Sequence, residues 1–209
     1  MTVVIAIDGP AAAGKGTLAR RLALALGLAY LDTGLLYRAV GRRVLEAGAV
    51  PSDPTAAEAA ARALVAADLM RTDLRGPEAD QASSFVAKVP GVRAALLAFQ
   101  RSFASQGAVL DGRDIGTVVM PDATVKLFVT ADLSVRARRR WLELQGRGVA
   151  TSLAQVEAEL QARDAQDAAR ETAPLRVATD AVVLDTTMLD ADAALARGLE
   201  IVRSRLGFA

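Results

Sequence analysis

The chain has 209 residues, 52% of them apolar, a formal net charge of +1, and neither cysteine nor histidine. That length holds one α/β domain with insertions and a sizeable core, and the near-zero charge gives no support to a nucleic-acid or membrane surface. Disulfide frameworks, thiolate chemistry, histidine triads, most zinc sites and a histidine general base are excluded.

Val3–Ile7 reads as a short buried strand. It has no charged region ahead of it and is far too short to span a bilayer, so a cytoplasmic setting is expected. Gly9-Pro10-Ala11-Ala12-Ala13-Gly14-Lys15-Gly16-Thr17 follows, and Leu18 to Leu26 has helical apolar spacing. Ala29–Leu31 reads as a second strand. Thr33 to Gly107 is mostly helical and alanine-rich, much longer than a plain crossover needs, and is read as an inserted substrate-binding subdomain. Its last helix is expected at Val92–Ser105. Further strands are expected at Val109–Leu110, Val125–Thr130 and Ala181–Leu184, with helices at Leu133–Gln145, Leu153–Arg170 and Ala191–Leu206. The strands are continuously rather than alternately apolar, which suits a parallel sheet covered on both faces. The pattern predicts a doubly wound α/β fold with five parallel strands. The expected division is a core of 1–32, 108–145 and 171–209, an insert of 33–107, and a mobile lid of 146–170 built around Gly146 and Gly148. Most arginines of Arg136–Arg147 are read as a solvated helical face.

The glycine-rich stretch carries the chemistry. Lying between a strand and a helix, it has the context of a phosphate-binding loop. Its backbone N–H groups and the positive end of the next helix point at one spot and stabilise phosphate oxygens. Lys15 adds a full charge, and Thr17 a hydroxyl for a magnesium ion or its water. The general pattern has Ser or Thr directly after Lys; here Gly16 intervenes. The reading is a nucleoside triphosphate site. A switch protein of the GTPase type would share the loop, but its guanine-reading motif needs an asparagine, and the chain has none. Polar residues follow the other strands too: Asp8, then Asp32-Thr33-Gly34, then Asp111-Gly112-Arg113-Asp114. Strand ends are where ligands bind in such sheets.

Nearly end to end, the chain resembles the bacterial cytidylate kinases of the nucleoside monophosphate kinase superfamily. The matching pieces are IDGPAAAGKGTLA at Ile7–Ala19, LDTGLLYR at Leu31–Arg38, VPGVRAALLAFQR at Val89–Arg101, DGRDIGTVVMPDA at Asp111–Ala123, RARRRWLELQGRG at Arg136–Gly148 and ARDAQDAARETAPL at Ala162–Leu175. DGRDIGTVV discriminates most, because adenylate kinases lack it.

The resemblance implies a P-loop kinase domain that transfers phosphoryl from ATP, with Mg2+, to CMP and dCMP; UMP or AMP is the alternative acceptor on the same core. It implies that Arg38, Arg113 and Arg170 hold the acceptor's phosphate, that Ser84, Arg93 and Asp114 read cytosine, and that Asp167 contacts the acceptor sugar. Arg163 matches a lid arginine near the transferred phosphoryl group. Asp32, Thr33 and Tyr37 line the acceptor pocket, and Arg75 matches an arginine on the insert. No nucleic-acid or membrane partner is implied, and a monomer is expected.

These residue types suit those tasks. Arginine's planar fork grips a phosphate through two bonds, and several together neutralise a dianion. Arg93 can donate to cytosine's ring acceptors while Asp114 or a serine hydroxyl accepts from its amino group. Ser84 reads equally as a helix cap. The acceptor phosphate is mostly dianionic at pH 7, its second pKa being about 6. A chain without histidine therefore needs no general base. The departures from the family are Ala11 and Ala12 where many relatives have Ser and Gly, Gln166 and Ala168 at positions where arginine is frequent, and a shortened insert with no room for a strand pair between Asp68 and Arg75.

Overall fold

The computed structural model describes residues 2–207, and the chain divides into two compact units, Met1–Leu31 with Ala104–Ala209, and Asp32–Phe103. The first contains β1 (Val4–Asp8), α1 (Lys15–Leu26), β2 (Ala29–Asp32), β3 (Ala108–Gly112), β4 (Val125–Thr130), α6 (Leu133–Gly146), α7 (Leu153–Ala168), β5 (Val182–Asp185) and α8 (Ala191–Leu206). The strands form one five-stranded sheet in the order β2-β3-β1-β4-β5. All the registered pairings are parallel, with Ile5 opposite Val109 on one side and Val125 on the other. The five strands stand where the apolar runs place them. Strand β4 has the expected bounds, and the others end a residue or two beyond the apolar signal; Asp8 and Gly112 still pair although neither is hydrophobic.

Strand β1 is buried along its whole length. Its Ile5 and Ile7 lie in a core with Val109, Leu127, Val129 and Leu184 of the neighbouring strands, Leu18 and Leu22 of α1, and Val202 of α8. Burying Leu22 alone is worth about 2 kcal/mol of transfer free energy. Helix α8 approaches α1 closely through Gly198, where a Cβ would stand 3.0 Å from Leu18 Cδ1.

A second apolar cluster joins Ala137 and Leu144 of α6 to Val156 and Leu160 of α7, with Ala11 of the glycine-rich loop in the same cluster and Ala12 packed against it. Ala11 and Ala12 thus have an apolar neighbourhood. The α6–α7 turn is tied by Trp141 Nε1, which donates to the Thr151 carbonyl at 3.1 Å. Ser152 caps α7 by accepting from the Gln155 N–H.

The second unit is helical: α2 (Thr33–Glu46), α3 (Pro54–Arg62), a 3₁₀ turn at Ala66–Met70, α4 (Pro77–Val86) and α5, which runs from Pro90 to Ala104. No strand occurs among its described residues beyond Asp32, in keeping with the absence of room for a strand pair. Asp32 caps α2 by accepting from Leu35 N–H. Helices α2 and α4 touch through Gly41, where a Cβ would fall 2.8 Å from that of Ala82. Among the described residues, no single helix is long and apolar enough to cross a membrane.

Candidate functional site

Helix α1 begins at Lys15, three residues before its apolar spacing shows, because Lys15, Gly16 and Thr17 carry no hydrophobic signal. Gly14 precedes it in the left-handed conformation, with no side chain capping the helix and no acidic residue in its first turn. The orphan N–H groups and the positive end of the helix are therefore left to a ligand, and the geometry selects an anion. Gly9 has φ 145°, and a Cβ there would lie 1.9 Å from the Val129 carbonyl oxygen, so only glycine fits. Ala12 takes φ 60°, a region glycine enters more freely.

Lys15 is buried and donates from Nζ to the Pro10 carbonyl at 2.8 Å. Burial, then the Arg113 charge, push its pKa down to about 7, against the pull of Asp111. Arg163 adds to the same repulsion. The charges of Arg113 and Arg163 thus both bear on Lys15. Thr17 is exposed in the first turn of α1.

Three side chains that the sequence reading left without a role complete the surroundings of the loop. Asp8 accepts from the Ile115 and Gly116 N–H groups, both at 2.7 Å. Burial raises its pKa to about 6 against those two donors. Asp8 thereby fastens the segment after β3 to the strand that carries the loop. Asp111, buried at the end of β3, accepts from the Tyr30 hydroxyl at 3.1 Å. A Cβ on Gly16 would lie 3.5 Å from Asp111 Oδ2 and 3.6 Å from Tyr30 Oη, so that carboxylate borders the first turn of α1. Position was the only signal for Asp8 and Asp111, polar residues at the ends of buried strands; Tyr30, inside β2, gave none.

The acceptor-type arginines of this unit meet one carboxylate. Arg113 donates from Nε to Asp167 Oδ2 at 2.8 Å, and Arg170 donates from Nη2 to Asp167 Oδ1. Asp167 is almost wholly buried; although burial raises its pKa, Arg113 and Arg170 outweigh that and hold it below the usual carboxylate range. Arg113 also donates to the Gly112 carbonyl at 3.3 Å. Asp114 is buried and begins a π-helical turn over Ile115–Val119, its carbonyl accepting from Val118 and Val119. Its charge adds to the upward push on Asp8.

Two arginines of α6, Arg136 and Arg139, depart from the expected solvated face, whereas Arg138 and Arg147 are exposed as expected. Arg136 is buried, bonded to the Ala131 and Ala11 carbonyls and ion-paired with Asp164 at 2.8 Å. Arg139 donates to the Thr186 and Leu189 carbonyls at 2.7 and 3.1 Å, and the Thr186 hydroxyl reaches the Ala13 carbonyl at 3.0 Å. Helical spacing cannot separate these from exposed neighbours, because their partners lie far along the chain.

In the second unit, the Arg93 guanidinium stands 5.6 Å from the Tyr37 ring centre, a cation–π contact made by a buried arginine. Asp32 pairs with Arg75 at 3.6 Å, and the adjacent Thr33 is buried. Arg38 donates to Asp80 at 2.9 Å. Gly34 makes room for both: a Cβ would crowd Asp32 Oδ1 at 3.0 Å and Arg38 Nη1 at 3.1 Å. Ser84 lies half-buried within α4, so it caps no helix. Its neighbour Ser83 is the residue that bonds the helix backbone, donating to the Asp80 carbonyl.

Comparison with known proteins identifies the family. A family profile described as cytidylate kinase matches residues 5–204. The cytidylate kinase of Granulibacter bethesdensis is 64% identical over 98% of this chain and 99% of its own. That of Acidiphilium cryptum is 60% identical over 98% and 97%. Among solved structures, one from Eubacterium ventriosum superposes with a TM-score of 0.58 at 14% identity, covering 97% of this chain and 99% of its own. The protein TT1252 from Thermus thermophilus gives 0.51 at 23%, covering 98% of each chain. The two structural likenesses speak for the fold alone.

Proposed function

The chain belongs to the cytidylate kinase family and phosphorylates CMP, and from that premise we propose that ATP, bound with magnesium, is its phosphoryl donor. The observation that carries this reading is the uncapped α1 N-terminus, with Lys15 buried beside it and held close to its own loop. Loop residues Gly9 to Thr17 bind the donor phosphates through backbone N–H groups, with Lys15 on the outer ones.

The residues present fit magnesium. Among the described residues no group of three carboxylates could bind a metal alone, so the ion arrives with the phosphates. The Thr17 hydroxyl and the Asp111 carboxylate, held by Tyr30, would receive it or its waters. When bound, it neutralises charge on the phosphate oxygens.

On the first unit, Arg113 and Arg170 hold the acceptor's phosphate, Asp114 accepts from the cytosine amino group, and Asp167 serves the sugar and the two arginines. Arg163 stabilises the transferred phosphoryl group. On the second, Arg38, Arg75, Ser84, Arg93, Asp32, Thr33 and Tyr37 keep the acceptor roles that the family resemblance implies. The acceptor oxygen attacks without a general base, so catalysis rests on alignment and on fixed positive charge. Segment 146–170 acts as the lid, 33–107 is the acceptor-binding insert, and dCMP is accepted beside CMP. The cytoplasmic setting and monomeric state belong to the same proposal.

The test is purified protein with ATP–magnesium against CMP, dCMP, UMP and AMP, with EDTA and GTP controls. CMP and dCMP turn over fastest. Faster turnover of UMP or AMP would overturn the base-reading assignment, and full activity in EDTA the requirement for magnesium.

A further inference from the structure

We propose that Arg136 is a positioning residue for phosphoryl transfer, acting through Asp164 to fix helix α7, and with it Arg163, against the phosphate loop. Its guanidinium reaches three segments at once. Nε donates to the Ala131 carbonyl just beyond β4 at 2.8 Å, Nη1 to the Ala11 carbonyl of the loop at 3.3 Å, and Nη2 pairs with Asp164 Oδ2 on α7 at 2.8 Å. The other Asp164 oxygen, Oδ1, is buried and has no hydrogen-bond partner among the described residues. Among the described residues, Arg136 is thus the one partner of that carboxylate.

A buried charge is costly unless its geometry is well satisfied, and an apolar residue of similar size often serves stability as well or better. The surroundings here are apolar, with Ala11, Ala137, Val156 and Leu160 in one cluster and Leu133 and Trp141 packed on it. A leucine or methionine at 136 could fill such a space; it could not bond a loop carbonyl and a helix carboxylate together. Only the planar fork of arginine has donors enough, in fixed directions, for three partners. Asp164 directly follows Arg163, whose charge bears on Lys15. Holding α7 at Asp164 therefore sets where Arg163 stands with respect to the loop.

The inference rests on the reading of Arg163 as a transition-state arginine, and the experiment separates the two. Asp164→Asn, Arg163→Ala and the double variant are compared for kcat, for KM toward both substrates, and for thermal midpoint. Asp164→Asn lowers kcat about tenfold, within the range a misplacement of about 1 Å produces, and leaves KM for CMP within about twofold. In the Arg163→Ala background it causes no further loss, because its effect passes through Arg163. A merely structural pair would lower the midpoint and give equal losses in both backgrounds, which overturns the proposal. Unchanged kcat in Asp164→Asn, with Arg163→Ala impaired, overturns the proposal alone. Unchanged kcat in Arg163→Ala overturns the reading of Arg163 and the proposal with it. Should Asp164→Asn not fold, Arg136→Lys, which keeps the charge and loses the fork, is put through the same comparison.

Discussion

The Lys15 ammonium donates to the Pro10 carbonyl five residues before it, so the charge meant for a ligand is folded back over its own loop. Because burial depresses its pKa to about 7, much of that lysine is neutral at pH 8 until a phosphate arrives. A polyanion beside it favours the charged form and raises the pKa. Donor binding at pH 8 should therefore take up a proton, and affinity should fall as pH rises above about 7. Calorimetry in two buffers of different ionisation enthalpy measures this uptake. No uptake in the wild type, or equal uptake in Lys15→Ala, would count against it.

Lys15→Ala should also reduce transfer by several orders of magnitude while leaving CMP binding nearly intact, since the charge is needed most in the transition state. Turnover above about a tenth of wild type would sink the assignment of the loop as catalytic.

Arg113 and Arg170 share Asp167, so the three form one buried unit. Asp167→Ala strips the shared partner and should cost about 3 kcal/mol of stability, in the range for breaking a buried pair from one side. On the proposed reading that Arg113 and Arg170 hold the phosphate that is also the nucleophile, Arg113→Ala and Arg170→Ala should each raise KM for CMP and lower kcat. Asp167 has a depressed pKa, so its stabilisation is present above the ordinary carboxylate pKa and disappears only as pH falls below about 4. Thermal midpoints of wild type and Asp167→Ala should differ at pH 7 and converge toward pH 3. A constant gap would contradict the linkage.

Asp8 has the opposite sign. Its pKa rises to about 6 in the folded protein, so the folded state binds a proton more tightly than the unfolded chain. That contribution is complete below the unfolded carboxylate pKa of about 4 and is lost as pH climbs through 6, amounting to about 3 kcal/mol. Asp8→Asn removes this dependence but places a donor against the Ile115 or Gly116 N–H. The variant should be less stable than wild type, with a gap that narrows from pH 4 to pH 7. Chemical denaturation at the two pH values checks the direction.

Asp114→Asn replaces an acceptor by a donor, opposing the cytosine amino group and suiting a carbonyl. CMP turnover should fall at least tenfold and UMP turnover much less, each 1.4 kcal/mol lost being tenfold in rate. An equal fall for both would mean that Asp114 only orders the turn it begins.

Much of this was legible in the sequence, for an identifiable reason. The strands are continuous apolar runs in a sheet buried on both faces, and glycine spacing is a local signal. Gly9 and Gly14 stand where the backbone has φ 145° and 89°, and a one-dimensional pattern suffices to find them. Asp8 and Asp111 could be placed at strand ends, but not their partners, Ile115 with Gly116 and Tyr30, which the folding of the chain supplies. Arg136 and Arg138 are indistinguishable as letters on one helix; one is buried and the other exposed, because Asp164 and the Ala11 carbonyl face only the first. Start residues such as Lys15 were missed because helix beginnings are written in caps and dipoles rather than in hydrophobic spacing.

Strand β1 has a hydrogen-bonded neighbour on each side and not one exposed residue, and the glycine-rich loop grows directly from its end. Amide protons of Ile5 to Ile7 should thus exchange with solvent only when the whole unit opens, at the free energy of global unfolding. The loop inherits that permanence at its root, and Leu18 and Leu22 fasten the helix beyond it. Evolution or an engineer wishing to throttle this enzyme has little purchase on the loop itself without forfeiting the fold. Adjustment has to come through what presses on the loop from outside, the apolar seat of Ala11 and Ala12 and, from α6, Arg136 and Arg139, where a change can be graded.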